Sequence, residues 1–239
     1  MSNELAEVIA KSQRIVFFGG AGVSTESGIP DFRSGKGLYQ RWLGPYYPPE
    51  EILSHNFFIS HTAEFFDYYR TNLLHPEARP NPAHLALARL EEQGKLSAVI
   101  TQNIDGLHQA AGSKHVLELH GSVLRNSCQR CGKSYPMELI LAAEGIPRCE
   151  CGATVKPDVV LYGESLNMQV LDEALEELAA ADTLIVGGTS LVVQPAASLT
   201  EAFTGDQLVL INASKTSMDS RADLVIREPI GQALGDAVL

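Results

Sequence analysis

The sequence predicts an α/β fold built on a doubly wound parallel sheet, and three observations support this. Short apolar runs bounded by turn residues recur along the chain, as expected for strands that are buried on both faces. Segments with helical spacing lie between these runs, and such alternation is typical of a parallel sheet. Two longer stretches break the alternation, which predicts two insertions packed beside the sheet.

The elements follow from local patterns. The predicted strands are Ile15–Gly19, Leu96–Thr101, Val159–Tyr162, Thr183–Gly188, Leu208–Asn212 and residues 223–226. A helix is predicted to begin at Pro82, capped by Asn81, and to stop at Gly94, because these residue types favour those positions. Further helices are predicted in residues 1–13, 167–182, 194–203 and 230–239. The interruptions are 31–80, which is aromatic-rich and helical, and 122–156, which holds the cysteines.

Composition bounds the class of protein. The 239 residues are 45% hydrophobic and suffice for one sizeable core, or for one core plus a small additional module. A net charge of −11 argues against non-specific nucleic-acid binding, which needs a basic surface. The first residues carry charges among apolar positions, unlike a signal peptide, and no apolar run approaches the ~18 residues of a membrane span. We therefore expect a cytoplasmic protein with no nucleic-acid or membrane partner, and the oligomeric state stays open.

The four cysteines form two pairs, Cys128 with Cys131 and Cys149 with Cys151, and a glycine follows each pair. Two such turns can converge on one tetrahedral metal, so the pattern predicts zinc. A disulfide is the alternative, and a reducing compartment disfavours it. Four thiolates close the coordination shell, so the metal is expected to be structural.

Four predicted strands end in polar, turn-forming residues at the edge where doubly wound sheets bind ligands. The first of these loops, GGAGVSTES at 19–27, has glycines that permit close approach to a pyrophosphate. It then departs from the usual dinucleotide fingerprint by running into Gly28 and Pro30. The other loops offer candidate contacts: Gln102, Asn103 and Asp105, then Thr189 and Ser190, and then Asn212.

One histidine is a candidate base. His120 follows a short apolar strand and precedes Gly121, although a lone histidine can equally be structural. No serine lies in a nucleophile elbow, so an enzyme with this sequence would rely on a general base. A histidine near its ordinary pKa of about 6.5 suits that task at neutral pH.

Together these motifs resemble the sirtuin family of NAD-dependent protein deacylases, in the manner of a compact bacterial member. The matching segments are GAGVSTESGIPDFR (20–33), TQNIDGLH (101–108), HG (120–121), the four cysteines, KPDVVLYGE (156–164), GGTSLVVQPA (187–196) and IN (211–212). The resemblance implies a Rossmann-like NAD-binding domain made of residues 1–30, 81–121 and 157–239. It also implies a small domain with a helical module, 31–80, and a zinc-binding module, 122–156, with NAD in the cleft between the domains.

The resemblance also implies roles for individual residues. His120 would be the general base, and Asn103 would position a hydroxyl or a water. A peptide would bind as an added strand near residues 159–162 and 192–194, with Val159, Val160 and Tyr162 contacting the acyl-lysine. The implied NAD contacts are Ala21, Thr25, Phe32, Arg33, Gln102, Ile104, Asp105, Thr189, Ser190, Asn212 and Ile230.

The implied reaction is attack of an acyl-lysine carbonyl oxygen on the ribose as nicotinamide leaves, giving free lysine, nicotinamide and O-acyl-ADP-ribose. The helical module lacks the Tyr-x-x-Arg motif of relatives that remove acidic acyl groups, so a neutral acyl group is expected. Alternatives are mono-ADP-ribosyl transfer or long-chain or lipoyl deacylation at the same site, and a nucleotide-sensing or zinc scaffold without turnover. A dehydrogenase is disfavoured because the acidic residue of the dinucleotide fingerprint is missing.

Overall fold

The computed structural model describes residues 2–32, 37 and 47–239. Its strands are β1 Ile15–Gly19, β2 Leu96–Thr101, β3 Val116–Glu118, β4 Gly121–Cys128, β5 Ser134–Pro136, β6 Val155–Val159, β7 Thr183–Gly187, β8 Gln207–Ile211 and β9 Leu224–Ile226. Its α-helices are α1 Ser2–Lys11, α2 Pro49–Ile52, α3 His55–Ser60, α4 Thr62–Asn72, α5 Pro82–Glu92, α6 Leu107–Ala110, α7 Met137–Ala142, α8 Met168–Ala180 and α9 Ile230–Val238. Two 3-10 helices span Ala21–Ser27 and Ala196–Ala202.

The main sheet has six strands in the order β3-β2-β1-β7-β8-β9, and every neighbouring pair is parallel. The chain builds outward from β1 to β2 and β3 on one side, and from β7 to β9 on the other. The strand order therefore reverses between β1 and β7, which makes their carboxyl ends the expected ligand-binding edge. The predicted doubly wound sheet is confirmed.

One predicted strand is wrong. Val159–Tyr162 does not join the main sheet, because the strand there is β6, which ends at Val159 and pairs antiparallel with β4. The main sheet contains β3 instead. The error has a physical cause: the side chains of Val159 and Leu161 are buried in a separate core outside the main sheet, and apolar character alone does not say which core a strand enters.

Three apolar clusters hold the protein together. Alternate residues of β1 enter different clusters: Val16 and Phe18 pack on one face of the main sheet, and Ile15 and Phe17 pack on the other. The third cluster joins helices of the 47–74 segment to the three-stranded antiparallel sheet β5-β4-β6. This cluster places aromatic side chains of the helical segment against the cysteine-containing sheet.

Helix α5 shows how local sequence sets the helix bounds. Asn81 caps its first turn, accepting a hydrogen bond from Ala83 N at 2.9 Å, while His84 Nδ1 accepts from Asn81 N at 3.2 Å. The cap predicted at Asn81 and the start at Pro82 are confirmed. The longest described helix, α8, has 13 residues, and none of the described helices is long and apolar enough to cross a membrane.

Candidate active site

A cavity of about 940 Å³ lies beyond the carboxyl ends of β1, β2, β7 and β8. It brings the predicted candidates together: Ala21, Thr25, Phe32, Gln102, Asn103, Ile104, Asp105, His120, Val159, Val160, Tyr162, Thr189, Ser190, Asn212 and Ile230 all line its wall. Arg33 lies outside the described residues. The cavity thus joins the strand-end loops to the segment that follows β6.

The loops after β1 and β7 touch each other through their backbones. Gly22 N donates to Gly188 O at 2.7 Å, and a Cβ at Gly22 would lie only 2.7 Å from the Cα of Gly188. Gly188 has a φ of +60°, in the left-handed region that glycine adopts readily. Glycine is therefore required on both sides of this contact.

The first loop continues as the 3-10 helix Ala21–Ser27, which stops at Gly28 with a φ of 85°. Thr25 Oγ1 donates to Gly22 O at 2.9 Å and stabilises this tight turn. A regular helix would carry the chain away from the ligand edge, whereas the stop at Gly28 lets Asp31 and Phe32 line the cavity. This explains the departure from the dinucleotide fingerprint.

A serine that the sequence did not single out connects two loops. Ser24 Oγ donates to Asp105 Oδ2 at 2.7 Å and receives a hydrogen bond from Asn103 Nδ2 at 3.1 Å. Gln102 Nε2 donates to Thr189 Oγ1 at 3.3 Å, so the β2 loop also reaches the β7 loop. The predicted polar side chains therefore form a connected network. The place of Ser24 within GGAGVSTES is the only signal for it in the sequence.

The ring of His120 is oriented by one hydrogen bond. Its Nδ1 lies 2.9 Å from Gln102 O, which can only accept, so Nδ1 carries the proton of the neutral ring. Nε2 is then the free basic nitrogen, and no described residue is hydrogen-bonded to it. Burial lowers the pKa of His120 below its ordinary value, and the bond to Gln102 O opposes this only in part. The expectation of an unshifted pKa is therefore corrected, and the ring is neutral at pH 7.

The far end of the cavity is formed by the start of α9 and by Asn212, which follows β8. Ile230 is buried, and a Cβ at Gly187 would lie 2.3 Å from its Cδ1. The carboxylate of Glu26, in the first loop, accepts a hydrogen bond from Gly231 N at 2.6 Å. A carboxylate at a helix N-terminus is favourable, so this contact fastens the first loop to α9.

Asn81 makes a second contact with the first loop that the sequence did not predict. Asn81 Nδ2 donates to Val23 O at 2.7 Å and to Ser27 Oγ at 3.0 Å, in addition to capping α5. Beside it, the buried rings of His84 and His108 lie 4.7 Å apart in an edge-on arrangement. The sequence indicates Asn81 only as a cap, because a helix signature does not show what the Nδ2 group of the same amide contacts.

The four cysteines fit a metal site. Their Sγ atoms all lie within 4.8 Å of one another, with Cys128 and Cys151 at 3.5 Å and Cys131 and Cys149 at 3.6 Å. Tetrahedral zinc with bonds of about 2.3 Å separates its sulfurs by about 3.8 Å, whereas a disulfide bond is about 2 Å. Hydrogen bonds from backbone amides, chiefly that of Cys131, lower the pKa of Cys128 to about 6, which favours the metal-binding thiolate.

Comparison with known proteins identifies the family. The model of the Sir2 family matches residues 20–195. The chain belongs to the Sir2 family. The NAD-dependent protein deacetylase of Clostridium acetobutylicum is 57% identical over 97% of this chain and 96% of its own length, and that of Clostridium perfringens is 57% identical over 99% and 98%. The sirtuin resemblance read from the motifs is confirmed.

Solved Sir2 structures share the fold. A Sir2 complex with a p53 peptide and NAD+ is 39% identical, covers 98% of this chain and 95% of its own, and has a TM-score of 0.86. Another, with a deacetylated p53 peptide and 3′-O-acetyl-ADP-ribose, is 38% identical, covers 99% of both chains and has a TM-score of 0.90. The fold described above, with its parallel six-stranded sheet and separate antiparallel sheet, is therefore shared with solved Sir2 structures.

Proposed function

We propose that this chain is an NAD-dependent protein deacetylase that converts acyl-lysine, NAD and water to free lysine, nicotinamide and O-acyl-ADP-ribose. Relatives at 57% identity are named for this activity, and Sir2 structures hold NAD or acetyl-ADP-ribose together with peptides. The observation in this chain that supports it best is the neutral His120 ring, which offers Nε2 to the cavity while Gln102 O holds Nδ1.

Bound NAD supplies a ribose whose bond to nicotinamide can break, which leaves the sugar open to the acyl oxygen of the substrate. The cavity separates two tasks. The loops that contain Gly22 and Gly188 leave space for a diphosphate, and Asn212 lies where a ribose hydroxyl can bind. The network of Asn103, Ser24 and Asp105 lies near His120, where the nicotinamide ribose is proposed to bind.

His120 can take a proton from a ribose hydroxyl because its lowered pKa keeps the ring neutral at pH 7, which leaves the Nε2 lone pair free. Removal of that proton would let the hydroxyl attack the acyl carbon. The lysine amine would then leave with a proton and one water would add to the same carbon, so that the acyl group ends as an ester on the sugar. The backbone ties this base to the peptide site, since Val160 N donates to His120 O at 3.0 Å. We infer that Val160 O, to which no described residue donates, accepts the amide N–H of the acyl-lysine side chain.

The metal site has a separate role. We propose that Cys128, Cys131, Cys149 and Cys151 hold a structural zinc, because four thiolates leave no open position for substrate. Tyr135 Oη donates to Cys149 Sγ at 3.1 Å, a contact that orients this ligand.

We also propose a division into domains. Residues 1–30, 81–121 and 157–239 would bind NAD, and the modules 31–80 and 122–156 would cover the cleft.

Mass spectrometry of the products tests the proposal. Incubation with NAD and an acetyl-lysine peptide should release nicotinamide, deacetylated peptide and O-acetyl-ADP-ribose in equal amounts. ADP-ribose attached to protein would instead support the transferase alternative. Absence of nicotinamide release from a panel of acyl-lysine peptides would refute the proposed function.

A further inference from the structure

Three segments of the chain meet at one carboxylate beside the proposed peptide site. Glu164 Oε2 lies 3.0 Å from Lys156 Nζ, and Glu164 Oε1 lies 2.8 Å from His55 Nδ1. Lys156 belongs to β6, Glu164 to the loop that follows it, and His55 to the start of α3. The side chains of Lys156 and Glu164 are only 12% and 21% exposed, so this is a protected ion pair and not a solvated surface contact.

The same two side chains also bind the backbone of the segment between them. Lys156 Nζ donates to Val159 O at 2.9 Å, and Leu161 N donates to Glu164 Oε2 at 2.9 Å. Glu164 N in turn donates to Leu161 O at 2.9 Å. Val159 and Leu161 are nearly fully buried, so these polar groups need partners inside the protein.

The carbonyl groups of residues 159–162 can therefore be accounted for one by one. Those of Val159 and Leu161 are used as just described, and Tyr162 O accepts from His55 N at 2.9 Å. Val160 O alone in this segment has no donor among the described residues. Val160 lines the cavity next to His120, to whose carbonyl Val160 N is bonded.

Glu164 remains charged in this position. Burial raises the pKa of its carboxyl group, but hydrogen bonds from Leu161 N, His55 and Lys156 together outweigh burial and lower it. Lys156 and Glu164 thus form a charge pair that also makes hydrogen bonds to backbone groups, and we call this pair the clamp. Replacing either residue leaves a buried group without its partner.

We propose that Lys156 and Glu164 are positioning residues that fix the register in which the acylated peptide binds. They occupy the neighbouring backbone groups, so an acyl-lysine amide finds one acceptor in the segment, Val160 O. Register along a strand is weakly specified when several equivalent acceptors are open, and closing all but one removes the shifted alternatives. The inference rests on the proposed function, since it concerns the substrate of the same cavity.

Steady-state kinetics with an acetyl-lysine peptide and NAD test the clamp. Glu164→Gln and Lys156→Met should each raise KM for the peptide about tenfold while KM for NAD changes less than about twofold. Lys156→Arg keeps the charge and the donors and should restore the peptide KM to within about threefold of the original. Glu177→Gln, which breaks the ion pair with Arg14 at the opposite end of the sheet, is the matched control and should change neither constant.

The outcomes separate this inference from the proposed function. Peptide KM values that stay unchanged, or KM values for peptide and NAD that rise in parallel, would overturn the clamp, as would failure of both variants to fold. Calorimetric titration of peptide into protein with ADP-ribose measures peptide affinity without turnover. Unmodified protein that binds peptide but releases no nicotinamide refutes the proposed function, and the titrations then decide the clamp alone. Protein that binds no acyl-lysine peptide refutes both.

Discussion

The two sides of the cavity are built by different means. The proposed dinucleotide side is formed by the loops after β1, β2, β7 and β8, which contact one another directly, through side chains and through backbone bonds such as Gly22 N to Gly188 O. The proposed peptide side, formed by residues 159–162, has backbone bonds of its own and is held in addition by the side chains of Lys156 and Glu164. Backbone contacts between parallel strand ends follow from the fold, whereas a side-chain clamp depends on particular residues. Substitutions should therefore affect the two sides separately.

His120 lies where the sides meet, and its replacement should have the largest effect. His120→Ala removes the basic Nε2, so kcat should fall about 10²- to 10⁴-fold, the usual contribution of a general base. Peptide and dinucleotide affinities, measured by calorimetry, should change little because the ring contacts the backbone only through Gln102 O. A variant that keeps more than a tenth of the original kcat with intact zinc content would contradict the assigned role.

Gly22→Ala tests the dinucleotide side directly. The added Cβ would lie 2.7 Å from the Cα of Gly188, so one loop must move away from the other. Overpacking of this kind amounts to about 1–3 kcal/mol, and we expect KM for NAD to rise about tenfold or more.

The control is Gly94→Ala, which also replaces a loop glycine but meets no atom within 4 Å. It has a positive φ and should lower stability without changing KM for NAD. Equal NAD constants for Gly22→Ala and the original protein would show that the contact between the loops is dispensable.

Asn81→Asp should produce a smaller change on the same side. Aspartate remains a good cap for α5, but it cannot donate to Val23 O and Ser27 Oγ as Asn81 does. Losing these bonds should raise KM for NAD on the order of fivefold, or about 1 kcal/mol, with the peptide KM unchanged. Ser27→Ala, which removes one of the two acceptors, should have a weaker effect in the same direction, and a larger effect from Ser27→Ala would argue against Asn81 as the support.

Acid should lower the free energy of unfolding through two buried histidines that lie beside the first loop. Burial lowers the pKa of His108 to about 3 and that of His84 to about 4. The unfolded chain therefore binds protons below pH 6.5 that the folded chain does not, and the free energy of unfolding falls as pH drops from 6.5 toward 4. Each histidine contributes at most about 1.4 kcal/mol per pH unit in that window.

His108→Leu isolates this effect. Neither ring nitrogen of His108 has a partner among the described residues, so an apolar replacement breaks no hydrogen bond seen there. Urea denaturation between pH 7.5 and 4.5 should show a shallower pH dependence in the variant. Parallel curves for the two proteins would show that His108 is not the titrating group.

The comparison also explains what the sequence could predict. β1 and β2 were predicted with the right bounds because apolar runs and turn residues are local signals. The strand-end loops followed from a general rule for parallel sheets, which placed Gln102, Asn103 and Asp105 at one edge. The cysteine spacing predicted a metal site in the same way.

Other features depend on tertiary contacts that no local pattern encodes. Val159–Tyr162 was assigned to the wrong sheet, because the same apolar run satisfies either core. The links from Asn81 to Val23 O and from Ser24 to Asp105 join residues far apart in sequence. The lowered pKa of His120 likewise arises from burial, which is visible only once the chain is folded.

The bond between Glu26 and Gly231 N carries a practical consequence for protein engineering. Because this carboxylate fits where a Cβ at Gly231 would stand, a side chain there makes the end of Glu26 move and breaks its bond to the start of helix Ile230–Val238. Affinity tags, fusions or truncations that disturb this helix should therefore change the affinity for NAD, even though the side chains of the proposed active site are intact.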